Sequence, residues 1–262
     1  MKPSLHAHAP FGRQTGQLEY CLANGINLEL FFSAEVLDTL DRGEVGELAL
    51  TLKGAGLETT IHAPFIDLNP GAVDPGIRAA SRHRIVQVFQ VAQQLRPRVI
   101  VVHPGYDDLH YGENRSVWLK NSVEFWQEFV PLAREMGTLL AVENIYEKEP
   151  STIKALLDAV DDPSFRHCFD VGHWNMFTTV SLEEWFGQLG SYIVESHIHD
   201  NHGQRDEHLP VGEGGIDFAR FFSLLRSHAP SAVWTIEAHS RELLQRALTG
   251  IQPYAGDSAP LS

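Results

Sequence analysis

Thiols are scarce in this chain of 262 residues. Its two cysteines, Cys21 and Cys168, are too few for a disulfide framework or a thiolate-built zinc site. Basic residues are also few, with 20 Lys and Arg against 34 Asp and Glu, leaving a formal charge of −14. A field of that sign repels a polyphosphate backbone, so an extended nucleic-acid groove is disfavoured. No apolar run approaches the ~20 residues of a membrane span. Met1-Lys2-Pro3-Ser4 does not open a secretory signal, so a soluble, cytoplasmic protein is expected. After the first apolar run, Pro10-Phe11-Gly12-Arg13-Gln14-Thr15-Gly16 lacks the G-x-G-x-x-G of dinucleotide-binding sheets. What is abundant is histidine: there are 14, as many as phenylalanine, in a chain that is 43% hydrophobic and otherwise of ordinary globular composition.

Short apolar runs alternate with longer amphipathic stretches. Strands are expected at Leu5–Ala9, Ile26–Phe32, Leu57–Ala63, Val99–His103, Leu139–Ile145, His167–Val171, Ile193–His199 and Val233–Ala238. Between them, Ile77–Leu95 puts Ile85, Val88, Phe89, Ala92 and Leu95 on one helical stripe, and Val117–Met136 does so with Phe125, Phe129, Leu132 and Met136. Trp118 and Trp126 join Phe125 and Phe129 as interhelix packing. Ser151, Ser181 (with Glu184 in a capping box) and Asp217 are placed to cap further helices. Eight β-then-α units in a chain close to the roughly 250 residues of such folds give an α/β class, a single-domain (β/α)8 TIM barrel. The barrel is expected over residues 1–250, with 251–262 as a flexible tail.

The ends of the expected strands carry the chemistry. One run ends in His62, another in His103, and others in Glu143, Asp170 and Glu237, while Glu195, His197 and His199 share one face by two-residue alternation. In a barrel these are the C-terminal strand ends, the rim where such folds place their sites. A carboxylate buried there costs several kcal/mol unless a cation or hydrogen bonds compensate. Too few Lys and Arg lie nearby to do so, and a divalent metal is the economical answer. Nitrogen and oxygen donors without thiolate favour zinc, manganese or iron over calcium. His173, just past Asp170, and the pair Asp206 and His208, in a loop stiffened by Pro210, add donors.

Together these residues resemble the xylose-isomerase-like TIM barrel superfamily, which includes sugar phosphate isomerases and epimerases and endonuclease IV-like enzymes, over about Leu5–Leu248. The resemblance implies a metal quartet of Glu143, Asp170, His197 and Glu237. His62, His103, His173, Asp206 and His208 resemble the further ligands of endonuclease IV-like zinc clusters. One to three ions, zinc or manganese, are thereby expected. Glu143 and Glu237 are implied as the proton-transferring pair of an isomerase or epimerase acting on a sugar or sugar phosphate through an enediolate. The alternatives are an endonuclease IV-like multi-zinc phosphoester hydrolase, acting on a small phosphoester rather than DNA, and a non-catalytic metal or sugar binder.

His199, Arg205, Trp174 and Glu29 are expected against the substrate. His8 and His239 share the inward parity, and the amides of Gly212-Glu213-Gly214-Gly215 are placed to meet a phosphate. His83, His110, His167, His202 and His228 are expected at the surface. Members of the superfamily often form homo-oligomers, although no apolar stripe in the sequence is spare for a partner, and no membrane or nucleic-acid partner is expected.

Overall fold

In the computed structural model, which describes residues 3–12 and 16–255, the strands close into one barrel in the order β1-β2-β3-β4-β5-β6-β7-β8. They are β1 (Ser4–Pro10), β2 (Asn27–Phe31), β3 (Thr59–His62), β4 (Val99–Val102), β5 (Leu139–Glu143), β6 (Phe165–Asp170), β7 (Ile193–Ile198) and β8 (Val233–Ile236). Every neighbouring pair is parallel, including the β1–β8 pair that closes the ring. Parallel neighbours need a crossover, and helices supply each one. The first are α1 (Gln17–Asn24), α3 (Arg42–Ala55) after the short α2 (Ala34–Thr39), and α4 (Pro75–Leu95). After β4 come α5 (Asp108–Tyr111) and α6 (Arg115–Met136), then α7 (Ser151–Val160), α8 (Val171–Phe177), α9 (Leu182–Leu189), α10 (Phe218–His228) and α11 (Arg241–Ala255). Among the described residues no helix is long and apolar enough to cross a membrane.

Local chemistry sets the helix boundaries. Asp74 accepts a hydrogen bond from Gly76 N (2.6 Å) and Pro75 occupies the first turn of α4, where its missing N–H costs nothing. Ser181 accepts from Glu184 N (3.2 Å) and Asp217 from Arg220 N (2.9 Å), as their positions foretell. Ser151 is different: it is the first residue of α7, and its own N–H is bound by the Glu149 carboxylate. The α4 stripe is buried throughout, but Leu132 of α6 is exposed. The buried face of α6 runs through Ser122, Trp126, Phe129 and Ala133, and Leu132 is turned one residue, about 100°, away from Ala133. The expected tail is helical as far as Ala255, with Ile251 fully buried; residues 256–262 lie outside the described residues.

The main hydrophobic core fills the shell between the outer face of the strands and the helices, while Val99, Val101, Ala141, Cys168 and Val233 form a separate small cluster inside the barrel. Other inward positions are polar: Glu29, Thr60, Glu195, His197 and Thr235 are all fully buried. The barrel interior therefore combines a small apolar cluster with buried polar groups, and Glu143, Asp170 and Glu237 stand at or just past the C-terminal strand ends. That polarity positions the site.

Candidate metal centre

Strand pairing brings the ionisable groups together. Asp170 of β6 lies in register with His197 of β7, which is in register with Thr235 of β8, so Glu237 stands just beyond. Glu143 ends β5 beside Cys168 of β6. The four groups of the expected quartet close on a single atom. His197 Nδ1 lies 3.4 Å from Glu143 Oε1, 3.5 Å from Glu237 Oε1 and 3.8 Å from Asp170 Oδ2. Among the described residues that nitrogen, which is buried, has no hydrogen-bond partner. Leaving a buried polar atom unpaired is expensive, and a ring nitrogen facing three carboxylate oxygens has the donor set of a divalent cation site.

The other expected donors gather around this point. The second oxygen of Glu143, Oε2, is 3.2 Å from His62 Nε2 and 3.1 Å from His103 Nε2. His62 is oriented by donation from Nδ1 to Ala63 O (2.8 Å), which leaves Nε2 for the site. On the far side, His173 Nδ1 is 3.2 Å from Glu143 Oε1 and His173 Nε2 is 3.6 Å from Asp206 Oδ2. His208 Nε2 is 3.0 Å from Asp206 Oδ2, and its Nδ1 is 3.7 Å from Glu237 Oε2. Three groupings, His62–Glu143–His197, Asp170–His173–His199 and His199–His208–Glu237, each bring their donor atoms within 4.8 Å of one another.

The electrostatics follow from mutual burial. Burial alone would raise the Glu143 carboxyl, but His197 and His103 beside it outweigh that and hold it well below the ordinary carboxylate range. Asp170 is lowered in the same way, against its burial, by His173 and His199. Burial pushes the His62 imidazole down, yet its bond to Glu143 and the nearby Glu29 charge win and raise it to about 9. In the protein alone, imidazoles raised by these carboxylates, His62 among them, thus offset part of the buried charge, while burial holds His103 down. A divalent cation would supply positive charge while releasing the imidazole protons.

Some expected residues fall elsewhere. Glu29, expected against substrate, is fully buried and accepts hydrogen bonds from His8 Nδ1 (2.9 Å) and His197 Nε2 (3.0 Å). His199 belongs with the donors, its Nε2 lying 3.2 Å from Asp170 Oδ2, and its ring stacks on His208 at 4.0 Å, with His239 next in the stack at 4.1 Å. Arg205 is exposed, and Trp174 is half-buried against the hydrophobic core. His167 is not at the surface but fully buried, donating from Nδ1 to Val142 O (2.8 Å) and accepting from Trp185 Nε1 (3.3 Å).

The glycine-rich loop serves a different purpose from the one expected. The amides of Gly212 (3.1 Å), Gly214 (2.7 Å) and Ile216 (3.2 Å) all donate to the buried carboxylate of Asp200, as does Asn201 N (2.9 Å). Asp200 also exchanges both backbone hydrogen bonds with Leu209 (2.8 and 2.9 Å). These bonds hold the Asp206–His208 arm over the site, with His208 in a left-handed conformation (φ 48°) that costs about 1 kcal/mol. Asn144, adjacent to Glu143, brackets Asp170 by donating to its carbonyl (2.8 Å) and accepting from its amide (2.9 Å). Neither Asp200 nor Asn144 announces itself in the sequence, because each acts through backbone groups brought near only by the fold. Phe31 and Phe65 flank His62 at ring separations of 5.7 and 5.5 Å, and Phe65 stacks on His103 at 4.2 Å.

The chain is similar in sequence to the uncharacterized protein MJ1311 of Methanocaldococcus jannaschii, 30% identical over 206 residues that cover 73% of this chain and 70% of the relative. It is also similar to the L-ribulose-5-phosphate 3-epimerase UlaE of Escherichia coli O157:H7, 29% identical over 206 residues, 74% of this chain and 70% of that one. Among solved structures, a D-tagatose 3-epimerase-like protein superposes with a TM-score of 0.84 at 24% identity, covering 97% of both chains. A Thermus thermophilus protein, TTHB071, soaked with ZnCl2, superposes at 0.79 with 21% identity, covering 98% of this chain and 99% of that one; at these identities the likeness establishes the fold. The model of the xylose isomerase-like TIM barrel family matches residues 24–255, and with the closed parallel barrel and the donor cluster at its C-terminal mouth this places the chain in that family.

Proposed function

We propose that the protein is a divalent-cation-dependent isomerase or epimerase of a sugar or sugar phosphate, with zinc or manganese as the cation. The observation that carries this is the approach of Glu143 and Glu237, from β5 and from just past β8, to the same His197 nitrogen at 3.4 and 3.5 Å. Two carboxylates that meet a common point from separate strands can take a proton from one face of a substrate carbon and return one to the other face. The sequence likeness to an L-ribulose-5-phosphate 3-epimerase supports a ketose substrate.

Glu143, Asp170, His197 and Glu237 would hold the cation, which when bound acts as a Lewis acid on the substrate's carbonyl and adjacent hydroxyl oxygens. Glu143 takes the proton from the carbon next to the carbonyl, and the electron pair of that C–H bond moves onto the carbonyl oxygen to give an enediolate. Glu237, entering this step protonated, delivers its proton to the opposite face as the electron pair returns from the oxygen and re-forms the carbonyl, which leaves Glu143 protonated and Glu237 ionised. His239, exposed at the end of the imidazole stack, would meet the rest of the substrate, with Arg205 of the loop after β7 and Trp174 of α8 as further contacts.

The test is incubation of the zinc- or manganese-loaded protein with a panel of ketoses and ketose phosphates in D2O. Deuterium is expected at the carbon next to the carbonyl, and Glu143→Gln and Glu237→Gln should each lower the exchange rate by about 10²-fold or more. Exchange that survives in both variants would overturn the assignment.

One observation favours a second reading. Both oxygens of Glu143 are engaged, Oε1 toward His197 and Oε2 toward His62 and His103, as a carboxylate bridging two cations would be. A multi-zinc phosphoester hydrolase would use that bridge. His103→Ala separates the two: deuterium exchange into a ketose is little changed in the isomerase, whereas cleavage of a small phosphodiester collapses in the hydrolase.

A further inference from the structure

We infer that Glu29 is a positioning residue for cation binding: from the middle of β2 it holds His197 by Nε2 and thereby turns Nδ1 toward the point shared by Glu143, Asp170 and Glu237. The inference rests on the cation-dependent reading above and concerns a residue one layer deeper than the donors themselves. Both Glu29 oxygens are engaged, Oε2 by His197 Nε2 (3.0 Å) and Oε1 by His8 Nδ1 (2.9 Å). An ionised carboxylate can only accept, so Nε2 of His197 must carry a proton. With that proton on Nε2, the neutral ring presents the lone pair of Nδ1 to the point shared by the three site carboxylates.

The other deep carboxylate is occupied differently. Glu195 comes within 4.8 Å of the same groups, but its Oε1 accepts from the hydroxyls of Thr60 (3.0 Å) and Thr235 instead. Glu29 is fully buried and beneath the ligand it orients, so its action passes through His197. A carboxylate behind a ligating imidazole fixes the ring's orientation and tautomer and raises its basicity, and losing such a partner typically lowers metal affinity about 10–100-fold. His8 completes the arrangement. Its Nδ1 also lies 3.6 Å from Glu237 Oε1, so one imidazole of β1 stands between Glu29 and the site carboxylate just past β8.

Glu29→Gln keeps the side chain's size but sets an amide N–H against one of the two imidazoles. Zinc and manganese affinities, measured by competition with a chelator, should fall about 10–100-fold, and the visible spectrum of the cobalt-substituted variant should differ from that of the parent. A merely structural role would lower the unfolding temperature and leave the cobalt spectrum of the folded fraction unchanged. Should the variant not fold, histidine 15N spectra of the zinc-loaded wild-type protein decide the matter: a proton on Nε2 of His197 is expected, with zinc on Nδ1. Parental affinity and spectrum in a folded Glu29→Gln, or zinc bound through Nε2, would overturn the inference while leaving the cation-dependent reading intact. A wild-type protein that binds neither zinc nor manganese would overturn both.

Discussion

At the scale of single residues, the histidines away from the exposed surface divide into two kinds. Those at the mouth converge on carboxylates, whereas His6 and His167 are fully buried elsewhere and point Nδ1 at backbone carbonyls, Leu28 O at 3.3 Å and Val142 O at 2.8 Å. Burial pushes His167 down to about 4, against 6.5 for the free group. The folded protein therefore binds fewer protons here than the unfolded chain between those values. The stability this residue contributes is intact above pH 6.5 and is lost as the pH falls toward 4, a contribution of up to about 3 kcal/mol. His167→Asn keeps a donor for Val142 O and removes the titration. Urea unfolding between pH 4 and 7 should show a shallower acid loss in that variant, and an unchanged slope would contradict this account. The sequence could not separate the two kinds: His167 stands three residues before Asp170 on the same apolar run, and only the packing of Trp185 over it reveals a core position.

At the scale of elements, the strand ends were legible and the loops were not. His62, Glu143 and Asp170 do end their strands, and His103 and Glu237 do follow theirs immediately, because a switch from β-branched or aliphatic residues to ionisable ones marks where a buried strand meets a polar mouth. The loop from Asp200 to Ile216 was misread because its glycines serve an internal carboxylate rather than an external anion. A methyl group on Gly214 would lie 2.4 Å from Asp200 Oδ1 and 2.6 Å from Asn201 O, so no side chain fits there. Asp200→Ala removes the acceptor for four amides, and a loss of at least about 2 kcal/mol is expected. Hydrogen exchange at Gly212, Gly214 and Ile216 should accelerate strongly in that variant; protection equal to wild type would refute the proposed role of Asp200. The last helix is tied to the same loop, since a Cβ on Gly250 would lie 2.3 Å from Val211 O. Gly250→Ala should cost about 1–3 kcal/mol, read as a lowered unfolding temperature.

At the scale of the whole molecule, the repeat of strand and helix was enough to give the closed parallel barrel, since eight such units leave few other arrangements with right-handed crossovers. What the repeat could not give was depth along the barrel axis. Residues of the same inward parity occupy different layers, so Glu29 and Glu195 lie below the donors while Glu143 and His197 lie among them. Parity reports the face of a strand, and only register between strands reports height. Elemental analysis reads whether the mouth of this barrel holds a divalent cation on Glu143, Asp170, His197 and Glu237. Wild-type protein and His197→Gln would be loaded with zinc, dialysed into metal-free buffer and measured for metal per chain. One or more zinc ions should be retained by the wild type, with a clear loss in a folded His197→Gln. A wild type that retains none, or a variant that retains as much as the wild type, would contradict a cation held on these four residues.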